Sequence, residues 1–200
     1  MSLEELYTEE NDYVVKNVTF DLEKYNDKNF TKLDCSNVIF KNITFTNCEL
    51  TKCFFGNAQF INCDFSNCDF FQTYFNKVEF LYCKCIGAKF IENKIKNSKI
   101  KESYFNYASF DKSLMESLNI QITDFTDAIF NEVIFKKVKT KKCIFVNNDF
   151  YGALLKDMDF SNDEFKSPYV SSSFKELYKL KVNSIQASNL STLLGVEIVE

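Results

Sequence analysis

Histidine and tryptophan are absent from this 200-residue chain, which also has only four glycines and one proline. Without imidazole, neither a Ser–His or Cys–His nucleophile pair nor a histidine metal ligand is available. With so few glycines and prolines, the turns cannot be glycine-rich hairpins. We therefore predict a protein that is not an enzyme, with no catalytic residues, no metal site and no cofactor.

Two kinds of membrane or export signal are also missing. No run approaches the roughly 18 apolar residues that a membrane-spanning helix needs. The start, residues 1–6, is acidic and lacks the basic and apolar regions of a signal peptide. The formal net charge of −4 gives no bulk attraction to nucleic acid. We expect a soluble, cytoplasmic protein that binds neither membranes nor nucleic acid directly.

Phenylalanine, in contrast, is abundant, with 23 copies, and most of them recur every five residues. In Cys63-Asp64-Phe65-Ser66-Asn67-Cys68-Asp69-Phe70, each Phe follows a small residue by two positions. From residue 20 to residue 165 the multiples of five give 30 central positions, and only Thr140 is not plainly apolar. The partner positions, two residues earlier, are mostly small or apolar. The exceptions are Glu23, Lys28, Asn93, Asn148 and Asp163.

A period of five fits neither an α-helix nor a β-strand, and a sustained short period indicates a stacked array. A coil that turns a corner every five residues would point the central and partner side chains inward. Successive coils would then pair as parallel strands about 4.8 Å apart. The sequence predicts an all-β solenoid over residues 18–165, an N-terminal cap over 1–17 and a C-terminal segment over 166–200.

This pattern resembles that of the pentapeptide-repeat family, in which a small or apolar residue, a polar one, Leu or Phe and two polar residues recur. The resemblance covers about three-quarters of the chain. It implies a right-handed quadrilateral parallel β-helix with four repeats per coil, which gives about seven and a half coils for these 30 repeats.

The two ends leave the five-residue period. Residues 3–10 are expected to form a short acidic turn of helix, followed by an extended segment over residues 13–15. After Pro168, one helix is predicted over residues 174–180, capped by Ser172 or Ser173. A second is predicted over residues 184–194, ending at Gly195. Residues 196–199 alternate like a short strand.

The closing segment, residues 186–199, carries a narrower resemblance. It is similar to the end of the Qnr-type quinolone-resistance proteins, where a helix containing Gln ends in Leu-Gly-Ile/Val and an apolar tail. In that subfamily the C-terminal module mediates head-to-head dimerisation. The resemblance implies a homodimer formed through the C-terminal apolar residues, namely Ile185, Leu190, Leu193, Leu194, Val196 and Ile198.

All eight cysteines occupy central or partner positions, so we predict that they point inward as small hydrophobic residues rather than bind metal. Cys63 and Cys83 lie one coil apart, close enough for a disulfide. The expected reducing compartment favours free thiols.

Three groups of outward residues are candidate interaction surfaces. Two adjacent faces of the rod are predicted to carry carboxylates: Glu49, Asp64, Asp69, Glu92, Asp111, Asp124, Asp127, Glu132 and Asp149. The other two faces carry lysine clusters: Lys94, Lys96, Lys99 and Lys101, then Lys136, Lys137, Lys139, Lys141 and Lys142. An apolar patch is expected at Ile61, Phe71, Leu81 and Ile91. Asp124 and Asp127 could form a carboxylate pair for acid–base work, but a convex rod has no pocket to shift their pKa values.

The Qnr-type resemblance implies a DNA mimic that binds a type II topoisomerase, DNA gyrase or topoisomerase IV. Such binding would inhibit the enzyme or protect it from quinolones. Several Qnr-type proteins need projecting loops for protection, and the uninterrupted repeat here has none. The alternative is a protein-interaction scaffold with no topoisomerase role, which would use the apolar patch or the lysine clusters.

Overall fold

The computed structural model describes residues 2–199, which form one right-handed parallel β-solenoid of about eight coils with a short C-terminal helix. The predicted fold class is therefore confirmed. The strands are three residues long, and each centre is a multiple of five. They are β1 Val14–Lys16, β2 Thr19–Asp21, β3 Lys24–Asn26, β4 Asp34–Ser36, β5 Ile39–Lys41, β6 Thr44–Thr46, β7 Phe54–Gly56, β8 Gln59–Ile61, β9 Tyr74–Asn76, β10 Glu79–Leu81, β11 Lys94–Lys96, β12 Lys99–Lys101, β13 Leu114–Glu116, β14 Asn119–Gln121, β15 Ile134–Lys136, β16 Lys139–Lys141, β17 Ile144–Val146 and β18 Glu164–Lys166.

Each coil presents four faces in the order A, B, C and D, so A lies opposite C and B opposite D. Faces A and B are seven-stranded parallel sheets, β1-β4-β7-β9-β11-β13-β15 and β2-β5-β8-β10-β12-β14-β16. On face C, β3 pairs with β6 and β17 pairs with β18. Elsewhere on face C, and along face D, successive coils are joined by single parallel bridges. Face A is centred on Val15, Cys35, Phe55, Phe75, Ile95, Met115, Phe135 and Leu155, and the other faces follow at intervals of five.

The core is a set of stacked aromatic rings. Along face C, Phe45 and Phe65 have ring centroids 5.1 Å apart and an interplanar angle of 6°. Between faces of one coil the rings meet edge to face, as Phe65 and Phe70 do at 5.4 Å. Both arrangements suit the aromatic quadrupole. No single coil could bury its own rings, so the stack and its coils form together.

The corners depend on a position that the five-residue pattern hid. The residue two places after each centre has a φ between 49° and 73° at every repeat from Asp12 to Asp157. Asparagine tolerates this left-handed conformation better than most residues. It occupies nine of these positions, whereas glycine occupies only two: Asn17, Asn37, Asn42, Asn47, Asn57, Asn62, Asn67, Asn97 and Asn147, with Gly87 and Gly152. Most corners of the coils are therefore formed by asparagine and other residues with side chains rather than by glycine.

The N-terminal segment contains helix α1, Leu3–Leu6, and a 3-10 helix, Glu9–Asn11. Ser2 caps α1, and its hydroxyl accepts from the Glu5 amide at 3.3 Å. The extended segment at residues 13–15 becomes strand β1, which pairs with β4 in register. The ladder thus begins at Val14, inside the range 1–17 predicted as a cap.

The C-terminal segment differs from the prediction in three places. The helix expected over residues 174–180 is only a 3-10 turn, Lys175–Leu177, and neither predicted serine caps it, since Phe174 precedes it with a left-handed φ of 53°. Lys181 still bridges Asp159, so the path of the coils extends beyond residue 165. Residues 196–199 form no strand.

The second predicted helix is present as α2, Ser184–Ser191, followed by a 3-10 turn, Thr192–Leu194, and by Gly195 with a φ of 72°. Asn183 and Gln186 form a reciprocal capping box at its start. The Gln186 amide nitrogen also donates to the carbonyls of Phe160 and Asp163, at 2.9 and 2.8 Å. This buried glutamine fixes α2 to the last coil.

Candidate protein-interaction surfaces

The predicted carboxylates lie on faces C and D, and four of them build the turns that follow them. The Asp64 carboxylate accepts from the Ser66 amide at 2.9 Å, and Asp69 accepts from the Phe71 amide at 2.8 Å. Asp124 and Asp149 repeat this two-residue pattern with the Thr126 and Tyr151 amides. These are Asx turns. Each uses the Oδ1 atom, so one carboxylate oxygen has a structural role that the sequence pattern did not reveal.

The remaining predicted carboxylates are held differently. Glu49 accepts from the Asn29 amide nitrogen at 2.6 Å, and Glu92 accepts from Gln72 at 2.9 Å. Asp127 occupies a left-handed corner and accepts from Asn147 at 3.2 Å. Glu132 is an exposed corner residue, and Asp111 is half-buried with Oδ1 lacking a partner among the described residues. Seven of the nine carboxylates therefore lie on faces C and D or at the corner between them, whereas Glu92 and Glu132 lie at the far corner of face D. Lysines intervene, as at the Lys84–Asp64 ion pair of 3.4 Å.

The two lysine clusters differ in how far they are neutralised. Lys96, Lys99 and Lys101 form ion pairs with glutamates at 2.8, 2.9 and 3.0 Å. None of the five lysines of the second cluster, at residues 136–142, forms an ion pair within residues 2–199. They fill the outward positions of one coil along β15 and β16. This coil therefore carries five lysines without an ion pair in the described part of the chain, although Glu116 lies beside Lys136 on the adjacent strand.

The apolar patch expected at four residues is divided between opposite sides of the rod. Ile61 and Leu81 pair directly on face B, as expected from their spacing of one coil. Phe71 and Ile91 follow the centres of face D, which lies across the rod from face B. All four side chains are only half-buried rather than fully exposed. One continuous surface therefore cannot contain them, because residues ten apart lie half a coil apart.

A different apolar surface is the more exposed one. Tyr82 and Ile122 occupy left-handed corner positions between faces B and C, and they are 51% and 50% exposed. Tyr104 on face C and Tyr107 at its far corner are exposed as well. A groove on this surface is lined by Tyr82, Tyr104, Ile122 and Ile144 together with charged residues. Corner positions were not recognised from the sequence, so this surface was missed.

The predicted dimerisation residues divide into two groups. Ile185, Leu194, Val196 and Ile198 are exposed on α2 and the tail that follows it. Leu190 instead packs against the core, and Leu193 is half-buried. These four side chains, each about half exposed or more, lie on the segment that follows the last coil and are called the apolar end.

The cysteines are buried and free, as predicted, including Cys63 and Cys83. Burial raises the pKa of the Cys53 thiol to about 12 and holds those of Cys35 and Cys85 well above their ordinary value. The described part of the chain contains no cluster of three potential metal ligands and no helix able to span a membrane. The cysteines therefore act as core side chains.

Comparison with known proteins agrees with this geometry. A sequence model of the family described as pentapeptide repeats (8 copies) matches residues 29–67. No curated protein sequence matches the chain. HetL, a pentapeptide repeat protein involved in heterocyst differentiation regulation in the cyanobacterium Nostoc, superposes with a TM-score of 0.61 at 10% identity, over 83% of this chain and 87% of HetL.

Two further solved structures are similar at lower scores. Trypsin-treated QnrB1, a plasmid-mediated fluoroquinolone resistance protein, has a TM-score of 0.48 at 19% identity, over 94% of this chain and 100% of that one. Rfr23, from the cyanobacterium Cyanothece, has a TM-score of 0.36 at 9% identity, over 90% of this chain and 98% of that one. The family model matches residues 29–67, about a fifth of the chain, and the coils on either side continue at the same five-residue period, so the chain resembles pentapeptide-repeat proteins in sequence pattern and in fold.

Proposed function

We propose that this protein is a DNA mimic that occupies the DNA-binding groove of a type II topoisomerase, DNA gyrase or topoisomerase IV. Pentapeptide-repeat proteins are generally non-enzymatic interaction scaffolds. The observation that carries the proposal is the carboxylate series on face D. It comprises Glu49, Asp69, Asp111 and Asp149 on the face and Glu92 and Glu132 at its far corner, so nearly every coil contributes one.

The spacing of these charges supports mimicry of a phosphate backbone. Parallel coils lie about 4.8 Å apart, whereas phosphates along one DNA strand rise about 3.4 Å. Face D therefore carries roughly two-thirds of the axial charge density of one strand, before the lysines on that face are subtracted. The carboxylates of face C add a second, sparser series beside it.

The Asx turns fix the positions of these charges before a partner arrives. Asp69 and Asp149 use Oδ1 for the turn, and Asp64 and Asp124 do the same on face C. The second oxygen takes no part in the turn, and the carboxylate loses little freedom on binding. Such preorganisation reduces the entropic cost of association. The basic DNA-binding groove of the topoisomerase would then contact carboxylates in fixed positions, as it contacts phosphates in fixed positions on DNA.

The test is inhibition of supercoiling by purified gyrase. The triple variant Asp69→Asn, Asp124→Asn, Asp149→Asn keeps each turn acceptor but removes three charges, so we expect inhibition to weaken at least tenfold. Inhibition by the unsubstituted protein should also weaken as salt is raised. The same assay with a quinolone, scored for cleaved DNA, measures protection.

Asp159→Asn is the matched control, because Asp159 makes the same turn, to the Ser161 amide at 3.0 Å, on face B. Unchanged supercoiling and unchanged quinolone cleavage at low salt would refute the proposal. So would equal losses from Asp159→Asn and the triple variant.

We also propose that the protein is a homodimer joined through the apolar end formed by α2 and the tail. Ile185 is 73% exposed and Leu194 63%, which is unusual for side chains of this size. The double variant Ile185→Glu, Leu194→Glu should sediment as a monomer while keeping its fold, because both side chains are largely exposed. Leu22→Glu, at the other end of the rod, is the control. Dimers that persist in the double variant would rule out this interface.

The alternative function is a scaffold for another protein, and the exposed tyrosine surface favours it. Tyr82, Tyr104, Tyr107 and Ile122 are the aromatic and aliphatic anchors that interfaces use. A pull-down from a bacterial lysate distinguishes the DNA-mimic function from the scaffold function. Capture of gyrase subunits supports the DNA mimic. Capture of a different dominant partner that is lost in Tyr82→Ser plus Tyr104→Ser supports the scaffold.

A further inference from the structure

A groove opens where the solenoid departs from its regular hydrogen bonding, between the coil of β15 and β16 and the coil after it. It encloses about 530 Å³. Its walls are the side chains of Ile134, Phe135, Val138, Leu154 and Met158. None of these five side chains carries a hydrogen-bonding group except the weak thioether acceptor of Met158.

The regular backbone hydrogen bonds between coils are interrupted beside the groove. One coil earlier, the Ser117 amide donates to the Lys136 carbonyl at 2.8 Å, and the Lys139 amide donates to Leu118 at 2.9 Å. Among the described residues, the equivalent amides of Lys137 and Asp159 have no backbone partner. The ladder of face B ends at β16, and Asp159 bridges Lys181 instead.

Two exceptions to the five-residue pattern meet at this break. Thr140 replaces an apolar centre, and Asp163 replaces an apolar partner. The Thr140 hydroxyl donates to the Asp163 carboxylate at 2.5 Å, and that carboxylate also accepts from the Cys143 amide at 2.8 Å. A polar pair therefore stands where every earlier coil of face B has an apolar centre. The groove lies beside it, and Val138 there is only half-buried.

The rim of the groove is positively charged. Lys136, Lys137 and Lys156 line it, and none of them forms an ion pair within the described chain. Of the two acidic residues at the rim, Glu116 is already paired with Lys96 at 2.8 Å, which leaves Asp157. The unpartnered amide of Lys137 adds a further donor at the same edge. The rim thus offers ammonium groups and an N–H to an anion.

We propose that this groove binds an amphipathic carboxylate, an unbranched alkyl chain that ends in a carboxyl group. The alkyl chain matches walls without polar side chains, and burying it displaces water from apolar surface. The carboxylate matches the lysine rim and the free amide. A nucleotide or sugar fits less well, because the walls offer nothing to its ring substituents.

The test is calorimetric titration with dodecanoate below its micelle concentration. We expect saturable one-to-one binding that weakens about fourfold for each methylene removed from the chain. Lys137→Glu and Leu154→Asp should each weaken binding at least tenfold. Both residues are exposed, so the folded state should survive, and circular dichroism with thermal unfolding checks this.

Lys77→Glu is the matched control, since Lys77 occupies the same left-handed corner three coils earlier. Its binding should equal that of the unsubstituted protein. The proposal fails if dodecanoate gives no saturable binding, if Lys77→Glu weakens it equally, or if dodecanol binds as tightly as dodecanoate. A peptide of residues 196–200, Val-Glu-Ile-Val-Glu, tests a second copy of the chain as occupant. Binding of that peptide without binding of dodecanoate would also overturn the proposal.

Discussion

Phe70→Ala should lower the free energy of unfolding by about 3–5 kcal/mol, the usual cost of truncating a buried phenylalanine. The Phe70 ring is completely buried, and it stacks on Phe90 with centroids 4.7 Å apart. It also meets Phe65 of its own coil and Phe75 at the start of the next coil edge to face. Truncation leaves a cavity between coils that the neighbouring backbone, held by bridges on both sides, cannot close.

The adjacent residue provides the control for this experiment. Phe71 points outward and is half-buried, so Phe71→Ala should cost about 1 kcal/mol or less. Both variants lose the same atoms, and urea unfolding measures the difference between them. Similar losses for the two would mean that the inward and outward assignments are wrong.

Glu176→Gln should lower the stability of the C-terminal coil by about 2–4 kcal/mol, since hydrogen bonds to a charged group contribute about 1.5–3 kcal/mol each. Glu176 is 1% exposed. Its carboxylate accepts from the Gly152 amide at 2.9 Å and from the Ser171 amide and hydroxyl at 3.3 and 2.8 Å. A glutamine loses the charge, and its nitrogen would face donors. Limited proteolysis of residues 166–181 and chemical unfolding both report the change.

The pH dependence of Glu176 follows from its environment. Burial raises the pKa of this carboxyl, but the hydrogen bonds from the backbone and from Ser171 outweigh burial and leave the pKa below its ordinary value. A lowered pKa in the folded state means that the charged group stabilises the protein above the ordinary carboxyl range. That contribution disappears as the pH falls through the folded-state pKa.

The difference between the unsubstituted protein and Glu176→Gln should therefore be constant from pH 6 to 8 and shrink below about pH 4.3. Glu164→Gln, an exposed carboxyl on β18, is the control and should show neither effect. A difference that grows on acidification would contradict the assigned role.

The β-helix could be predicted from the sequence because its core repeats on a strict period. Every central residue from Phe20 to Phe130 is buried, and the period alone sets which residues pair between coils. The C-terminal segment lacks such a period. The helix α2 was predictable from its apolar residues and from Gly195. The path of residues 166–181 depends on Glu176, whose burial no local pattern indicates.

The surface was predictable only in part, for the same reason. A spacing of twenty residues correctly placed Ile61 beside Leu81. A spacing of ten residues corresponds to half a coil, which was not recognised, so Phe71 was grouped with residues on the opposite side of the rod. The exposed Tyr82 and Ile122 stand at corners that are defined by a backbone angle rather than by hydrophobicity. The groove between β16 and the next coil was equally hidden, because it accompanies an interruption of backbone hydrogen bonding that no sequence pattern indicates.

The four-sided coil also sets how such a chain can change its length. Removing twenty residues shortens the rod by one coil and leaves every downstream face aligned with its upstream counterpart. Removing five preserves the core pattern equally well, but it rotates everything downstream by a quarter turn. The carboxylate series on face D would then continue on a different face downstream of the deletion. Insertions and deletions in units of five are thus a route by which pentapeptide-repeat proteins can redistribute surface charge while leaving their stacked aromatic interior intact.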